Sequence, residues 1–417
     1  MTANLAAAVA PDVFVAHDDS ELARATLRRV SVRLLPFLFI LYVFNYLDRT
    51  NVALASLQMN RDLGFSAAAY GFGAGIFFVG YVLLEVPSNL ALARVGARLW
   101  IARIMVTWGL IASAMMFVRT PLQFYVLRFL LCAAEAGFFP GMIFYLSNWF
   151  PGPQRARAIS RFMIAIPVSS VLGGPMAAWL LGLDGRFGLR GWQWLFVVEG
   201  IPSIVLSVVT LLYLTDRIEQ ARWLDPDQQA WLAERIRRDR EESGAGTSTR
   251  GGSVLHALTN RMIWLLGLVF FLLNTAAYAY NFWAPQVIRD ALHTSDARTA
   301  LIVGAIACVT TLSMLAVGAS SDRTGERCLH TAACGIVGAV GCVGAALLPS
   351  PIARVASLPL VASGFLAFYP PLFCLPMKLL RGSAAAAAGI ALVNSISNIG
   401  GFVGPSLVGL LKETTGG

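Results

Sequence analysis

Charge is what this sequence has least of. Only 13% of its 417 residues are charged and 57% are hydrophobic, whereas about 25% of residues are charged in soluble globular proteins. Lysine is nearly absent, because the 32 basic residues include only Lys378 and Lys412. This composition excludes a soluble globular protein and predicts an all-α protein embedded in a lipid bilayer. The net charge of +9 does not indicate nucleic-acid binding, because the arginines lie in short clusters between apolar runs.

The sequence also lacks the residue groupings of enzymes and metal sites. The four histidines are scattered, and the six cysteines show no C-x-x-C spacing and lie mostly within apolar runs. No nucleophile–base pair and no phosphate-binding loop is recognisable. The sequence therefore predicts a protein that is not an enzyme, binds no metal and no cofactor, and keeps its thiols reduced and buried.

Eleven apolar runs, each of about 20 residues and long enough to cross a bilayer as a helix, are separated by polar stretches. They lie near 34–54, 71–93, 99–118, 122–149, 158–182, 192–214, 262–284, 300–319, 329–348, 355–377 and 384–411. Met1–Asp19 lacks the basic start of a cleaved signal, so residues 1–33 are predicted as a cytosolic tail with an amphipathic helix near Ser20–Arg33. Residues 215–260 are predicted as a cytoplasmic linker that contains a surface helix.

The basic residues predict the orientation. With a cytoplasmic N-terminus, 22 of the 32 arginines and lysines lie in segments on the cytoplasmic side, and eight lie on the opposite side. Arginine and lysine accumulate in the cytoplasmic loops of membrane proteins. We therefore expect a multi-pass protein whose N-terminus is cytoplasmic.

An internal repeat is visible at an offset of about 230 residues. The dipeptide Gly174-Pro175 recurs as Gly404-Pro405, and the tripeptide at 96–98 matches the one at 325–327. Two repeated halves with a site between them are typical of transporters.

The offset gives the boundaries of the halves. The N-terminal half has six spans within 34–214, and the C-terminal half has five within 261–417. The repeat of the sixth span would occupy 422–444, beyond the last residue of the sequence. We therefore expect two pseudo-symmetric six-span halves, of which this sequence lacks the twelfth span.

Two pairs of charged residues lie inside the first and fourth apolar spans. Asp48 and Arg49 are adjacent in the first span, and Arg128 and Glu135 lie in the fourth, seven residues apart and hence on one helix face. A charge near the bilayer centre costs roughly 2.5–3.5 kcal/mol on insertion scales. Because the first and fourth spans run in opposite directions, all four charges lie at similar depth. They indicate a site for an anion and protons, since arginine binds carboxylate bidentately, although buried ion pairs that only hold helices together remain an alternative.

Three motifs resemble signatures of the major facilitator superfamily. The stretch GASSDRTGER (318–327) resembles its loop signature G-x-x-x-D-R-x-G-R-R, whereas the first-half copy PSNLALARVGARLW (87–100) lacks the aspartate. The stretch RFLLCAAEAGFFPG (128–141) resembles its R-x-x-x-G-x-x-E pattern. The resemblance implies a conformational latch formed by Asp322, Arg323, Gly325, Arg327 and Arg98, and helix-packing roles for Gly174, Pro175, Gly404 and Pro405.

Further segments, among them YLDRTN, AEAGFFPGMIFYLSNWFP, GWQWLFVVEGIPSI and ALVNSISNIGGFVGP, resemble the anion:cation symporter family of tartrate, galactonate, phthalate and hydroxyphenylacetate permeases. The resemblance implies a monomeric symporter of the bacterial inner membrane that imports a sugar acid, tartrate-like diacid or aromatic acid with protons. Its residue pattern places substrate binding on Arg49, Arg128, Tyr46, Tyr81 and Asn394, and proton coupling on Asp48 and Glu135. The stretch FYPPLFCLPMK (368–378) departs from the pattern of many relatives.

Other interpretations stay open at this point. A carrier of the same fold for a neutral sugar or a drug, working as a uniporter or antiporter, would not need Arg49 or Arg128. A membrane sensor would bind the ligand without moving it. We expect Glu199, in the sixth span, to serve packing or gating rather than substrate binding.

Overall fold

Helices make up nearly all of the structure. The computed structural model describes residues 15–242, 259–373, 375 and 383–415, which contain fifteen α-helices and no β-strand. Ten helical segments of these residues are long and apolar enough to cross a membrane, judged by length and composition. The predictions for the start of the tail, for linker residues 243–258 and for most of 374–382 lie outside the described residues.

The N-terminal half begins with one long helix. The predicted amphipathic helix and the first predicted span form a single 49-residue helix, α1 (Val15–Leu63). The helices that follow are α2 (Ala67–Val95), α3 (Ala97–Ala114), α4 (Pro121–Glu135), α5 (Phe138–Ser147), α6 (Gly152–Met163), α7 (Ala165–Leu181) and α8 (Gly191–Tyr213). The fourth and fifth predicted spans are therefore each built from two shorter helices.

The linker contributes a polar surface helix, α9 (Pro226–Glu242), and the C-terminal half follows it. Its helices are α10 (Arg261–Leu292), α11 (Asp296–Thr324), α12 (Cys328–Leu347), α13 (Pro351–Leu366), α14 (Tyr369–Phe373) and α15 (Ser383–Thr415). The sequence predicted eleven spans, and its eleventh coincides with α15. Helix α15 is not one of the ten apolar segments. It nevertheless packs against α10 and α2, and both of those helices contain such segments.

Local sequence signals set several helix ends. Thr120 and Gln123 form a capping box before α4, with Pro121 in the first helical position. Ser66 caps α2 by accepting a hydrogen bond from the Ala69 N–H at 3.2 Å. Gly325, at a φ of 68°, ends α11 in the left-handed conformation that glycine adopts without strain.

The largest contacts between the two halves are those of α2 with α15, α7 with α11, and α1 with α10. Small residues allow the backbones to approach closely. A Cβ placed on Gly71 would lie 3.1 Å from the Cα of Gly409, and one on Gly174 would lie 2.6 Å from the Cα of Gly304. Close crossings of this kind are typical of helices packed within membranes.

Polar contacts join the halves at the end of the bundle where α1 ends and α11 begins. There the Tyr70 hydroxyl donates to the Phe282 carbonyl at 2.8 Å, and Arg61 pairs with Asp296 at 2.6 Å. The carboxylate of Glu413, on α15, accepts hydrogen bonds from residues that begin α2. We call this region the closed end of the molecule.

Candidate functional site

Two arginines share the ring of Phe77. The guanidinium carbon of Arg49, on α1, lies 5.4 Å from the ring centroid, and that of Arg128, on α4, lies 4.7 Å from it. Arg49 also lies 5.0 Å from the ring centroid of Tyr81, its neighbour on α2. Aromatic faces attract cations, so these rings support two positive charges in the interior of the N-terminal half.

The two arginines differ in their partners. Arg49 Nη2 lies 3.3 Å from Glu135 Oε2, and the side chain of Arg49 keeps 19% exposure. Arg128 is completely buried, and none of its three guanidinium nitrogens has a hydrogen-bond partner among the residues that the structure describes. A buried charge that lacks a partner is costly. The nitrogens of Arg128 are therefore the place in this site where a bound anion would gain most.

Glu135 is the last residue of α4. The helix ends there because Gly137, at a φ of 90°, turns the backbone before α5 begins. A Cβ on Gly137 would collide with Ser88 of α2. Unbroken α4 places Arg128 and Glu135 two turns apart, as predicted. They do not bond to each other, because Glu135 Oε2 pairs with Arg49 and its buried Oε1 has no hydrogen-bond partner.

Asp48 faces away from its neighbour Arg49 and joins a second polar group. One of its oxygens accepts a hydrogen bond from Trp108 Nε1 of α3. The other accepts from Asn51 Nδ2 at 3.1 Å, and the same nitrogen donates to Glu199 Oε2 of α8 at 2.7 Å. Asp48 and Glu199 are both buried, and neither forms an ion pair with any described residue. The buried charged side chains described here thus form two groups, one with Arg49, Arg128 and Glu135 and the other with Asp48 and Glu199.

The C-terminal half contributes a buried polar cluster without charge. Asn274 Nδ2 of α10 donates to Ser397 Oγ of α15 at 2.7 Å, and the Tyr369 hydroxyl donates to Asn274 Oδ1. Asn394, predicted to line the cavity, is half-buried on α15 one turn before Ser397, and Tyr46 is half-buried on α1. The four charged residues predicted for substrate binding and proton coupling therefore all belong to the N-terminal half.

Comparisons with known proteins identify the family. Residues 38–405 match the family model of the Major Facilitator Superfamily. The chain belongs to this superfamily. The predicted all-α superfamily fold is thereby confirmed.

A relative from Agrobacterium vitis, named as a tartrate transporter, is 45% identical over 95% of this chain and 90% of its own length. A quinolone resistance transporter from Acinetobacter baumannii is 40% identical over 95% of this chain and 90% of its own length. A crystal structure of a bacterial homologue of the human lysosomal transporter Spinster superposes with a TM-score of 0.76 at 18% identity, covering 92% of this chain and 83% of that one. Family and relatives indicate a multi-pass membrane transporter rather than an enzyme, and they are consistent with an anion:cation symporter-like protein.

The loop signature of the superfamily forms an ion pair in the second half. Asp322 Oδ1 lies 2.7 Å from Arg327 Nη2, and Arg327 Nη1 donates to Ser321 Oγ at 2.8 Å. Gly325 makes the turn between α11 and α12, and Arg323 is exposed. The signature thus fastens the end of α11 to the start of α12.

Glu326, within this loop, lies just before the start of α12. Its carboxylate accepts the backbone N–H of Leu329 at 2.8 Å and that of His330 at 3.2 Å. The hydrogen bond from Leu329 is the main reason why the pKa of Glu326 is below its usual range. A carboxylate at this position is stabilised by the positive end of the helix dipole.

The first-half copy of the loop obtains its carboxylate from elsewhere in the chain. The backbone N–H of Arg98 donates to Asp216 Oδ1 at 2.8 Å, and Arg98 Nε lies 3.8 Å from Asp216 Oδ2. Asp216 follows α8, more than a hundred residues after the motif that lacks an aspartate. The sequence motif did not reveal this partner because the two segments meet only in the folded protein.

The two Gly-Pro pairs lie at different kinds of contact. Gly174, beside Pro175, packs against α11 of the other half. A Cβ on Gly404 would lie 3.1 Å from the backbone nitrogen of Ala279, on α10 of the same half. The Pro405 carbonyl accepts a hydrogen bond from Trp283 Nε1, also on α10, at 3.1 Å.

Several residues of the site were not predicted as such. Asn51 follows Asp48 by three residues, and this spacing places both on one helix face. The spacing could therefore have indicated Asn51 as a neighbour of Asp48. Phe77 and Trp108 carried no signal, because they are ordinary aromatic residues within apolar spans. No group of three or more His, Cys, Asp or Glu side chains in the described ranges is placed to hold a metal ion.

Proposed function

We propose that the chain is a proton-coupled symporter that imports a small organic carboxylate across the bacterial inner membrane. The observation that carries this proposal is the buried guanidinium of Arg128, which has no hydrogen-bond partner and lies beside the ion pair of Arg49 and Glu135. A carboxylate offers two acceptor oxygens in the geometry that a guanidinium fork prefers. The 45% identical relative named as a tartrate transporter supports an organic acid as the cargo.

Coupling follows from competition for Arg49. An incoming carboxylate that bonds Arg49 displaces Glu135, whose other carboxylate oxygen is already without a partner. A buried carboxylate that loses its cation favours the protonated form. Binding of the anion therefore favours binding of a proton to Glu135. The anion and the proton can then cross the membrane together without a large buried net charge.

Access to the site alternates between the two membrane faces in this proposal. The closed end holds the C-terminus of α1, which the distribution of arginines predicts to face outward. The state described here is therefore shut toward the outside. Separation of α2 from α15 and of α7 from α11 at this end would admit substrate from the outside.

The test uses protein reconstituted into liposomes that contain a pH-sensitive dye. Sugar acids, tartrate-like diacids and aromatic acids are added outside in turn. We expect one class to acidify the interior beyond protein-free liposomes, because protons enter with the anion. Glu135→Gln should retain exchange of substrate for substrate but lose accumulation driven by a pH gradient. Binding without acidification by any class would contradict symport and favour a sensor.

A second candidate is export of an amphipathic drug in exchange for protons, which the 40% identical quinolone resistance transporter favours. In that case the anions produce no acidification, and quinolone movement is accompanied by proton flux in the opposite direction. Transport of an amphipathic drug that has no carboxylate would also survive Arg128→Met, because such a drug does not need the guanidinium. Quinolones themselves carry a carboxylate, so this comparison uses a drug without one.

A further inference from the structure

Glu199 is a buried carboxyl group that the transport cycle above does not use. It lies on α8 with 2% exposure, and its carboxyl contacts Asn51 of α1. The same helix packs closely on α3, where a Cβ on Gly200 would lie 2.8 Å from the Gly109 carbonyl. Glu199 therefore lies in a closely packed contact between helices, and the burial of its carboxyl group requires a proton or a compensating charge.

The groups that surround Glu199 supply no positive charge. From α1 it faces Asp48 and Asn51, and on α8 the hydroxyl of Ser203 bonds to the Glu199 backbone carbonyl rather than to its carboxyl. Asp48 in turn accepts a hydrogen bond from Trp108 of α3. Arg128 and Glu135 of α4 are the charged groups on the other side of Asp48. No described arginine, lysine or histidine forms an ion pair with Glu199.

Two ionised carboxylates in this position would repel each other in a medium of low dielectric constant. A buried charge that is not paired is strongly unfavourable even after local relaxation. Two neighbouring carboxyl groups avoid this cost when they share one proton, as two acids at one site generally do. The proton belongs preferentially to Glu199, because Asp48 has Trp108 as a hydrogen-bond donor and Arg128 nearby.

Asn51 links the two acids. Its amide nitrogen donates to one oxygen of each, whereas its own Oδ1 is buried and has no partner. The nitrogen has two hydrogens, so it can serve two acceptors at once. If the amide turns by 180°, its oxygen faces the two acids and accepts hydrogen bonds from their protonated forms. Asn51 can therefore bond favourably to the pair in either protonation state.

We propose that Asp48, Asn51 and Glu199 form one proton-binding unit, in which Glu199 is a second coupling carboxyl group connected to the substrate site through Asp48. The unit holds one proton in the state described here. It takes up a second proton on Asp48, and both protons leave when the site opens to the cytoplasm. The transport part of this inference rests on the proposed symport, whereas the proton on Glu199 is a property of the resting protein.

The transport test compares Glu199→Gln with wild type in liposomes with a pH gradient of about one unit. Each coupled proton contributes about a factor of ten to accumulation at that gradient, since 1.36 kcal/mol per pH unit is tenfold. We expect Glu199→Gln to lower accumulation about tenfold and to retain carboxylate binding. Glu85→Gln is the matched control, because Glu85 is a half-buried glutamate of the same half without a described hydrogen bond to Asn51.

A second measurement does not depend on transport. Infrared spectra of the resting protein in lipid should contain a protonated-carboxyl band that Glu199→Gln removes and Glu85→Gln leaves in place. Glu199→Asp, which keeps the acid, should retain the band and serves if the glutamine variant does not fold. A band and an accumulation ratio that are both unchanged in Glu199→Gln would overturn the inference. Loss of the band in a protein whose wild type never acidifies liposomes would instead support the proton site and contradict symport.

Discussion

Arg128 is the residue whose energetic cost and proposed function are most directly opposed. Its guanidinium is fully buried beside Phe77 and has no hydrogen-bond partner among the described residues. It therefore destabilises the ligand-free fold, and in the proposed cycle it provides the binding energy for an anion. Replacing buried ionic groups with apolar side chains of similar volume is often stabilising by about 1–4 kcal/mol. Arg128→Met should therefore raise the unfolding temperature of the ligand-free protein.

The same variant should lose the further rise in unfolding temperature that a bound carboxylate gives wild type, because ligand binding stabilises only a folded state with an intact site. Both quantities are measured by thermal unfolding in detergent, with and without the acid that acidifies liposomes. Arg103→Met is the control, since Arg103 lies in a span but stacks on Trp100 at 4.0 Å, away from the site. A ligand-induced rise that persists in Arg128→Met would contradict the assigned role.

At the scale of single residues, the sequence identified the buried charged side chains better than it identified their hydrogen-bond and ion-pair partners. Asp48, Arg49, Arg128 and Glu135 could be selected because they are charges in two apolar spans, lie at similar depth and match the family pattern. The pairing of Arg49 with Glu135, and of Asp48 with Asn51 and Trp108, could not. Partner choice depends on the rotation of each helix about its axis, which is set by packing against several neighbours at once.

At the scale of elements, the apolar runs located the spans but not their breaks. A hydrophobic run has the same length and composition whether one helix or two cross the membrane within it. The break between α4 and α5 depends on Gly137, where Ser88 of another helix leaves no room for a Cβ. Likewise, a polar stretch before an apolar one does not show where a helix begins, and α1 is continuous across that change.

The crossing of α7 and α11 is the element contact with least room for change. A Cβ on Gly174 would lie 2.6 Å from the Ala300 carbonyl oxygen and from the Cα of Gly304, so the backbones must separate in Gly174→Ala. Overpacking of this kind costs about 1–3 kcal/mol. The cost applies only to the state in which the closed end is shut, so the variant should open that end at least about fivefold more often.

The measurement is the labelling rate of a cysteine at Ser56, in a protein whose native cysteines are replaced, by a thiol reagent that does not cross the membrane. Ser56 accepts a hydrogen bond from Gln286 across the two halves and is buried at the closed end. Gly335→Ala is the control, because the nearest atom to a Cβ there is 3.7 Å away within the same half. Equal labelling of the two variants would show that this crossing does not limit opening.

For the whole molecule, the repeat predicted two halves but not which of their faces are in contact. The same sequence must adopt at least two arrangements of the halves to transport, so no sequence pattern can specify one of them alone. The closed end is stabilised by contacts between the halves that come from distant positions, such as Tyr70 with Phe282 and Arg61 with Asp296. These contacts decide the balance between the arrangements.

Glu413 is such a contact, and its neighbour provides the control for testing it. Its carboxylate accepts the Ala68 N–H at 2.8 Å and the Ser66 hydroxyl at 2.9 Å, so α15 of one half caps α2 of the other. Lys412 pairs with Asp290 at 3.1 Å, but both belong to the C-terminal half. Loss of a capping side chain costs about 1 kcal/mol, which corresponds to a shift of about fivefold between two states.

Spin labels at Phe187 and Ile352, exposed residues of the two halves near the closed end, report that shift as a distance distribution. Glu413→Gln should increase the population with the longer distance about fivefold over wild type. Lys412→Gln should leave the distribution unchanged, because the ion pair it removes does not cross between the halves. If both variants shift the distribution equally, then general loosening of α15 rather than the cap on α2 controls the closed end. An increase confined to Glu413→Gln would show that one carboxylate at a helix start holds the halves together there.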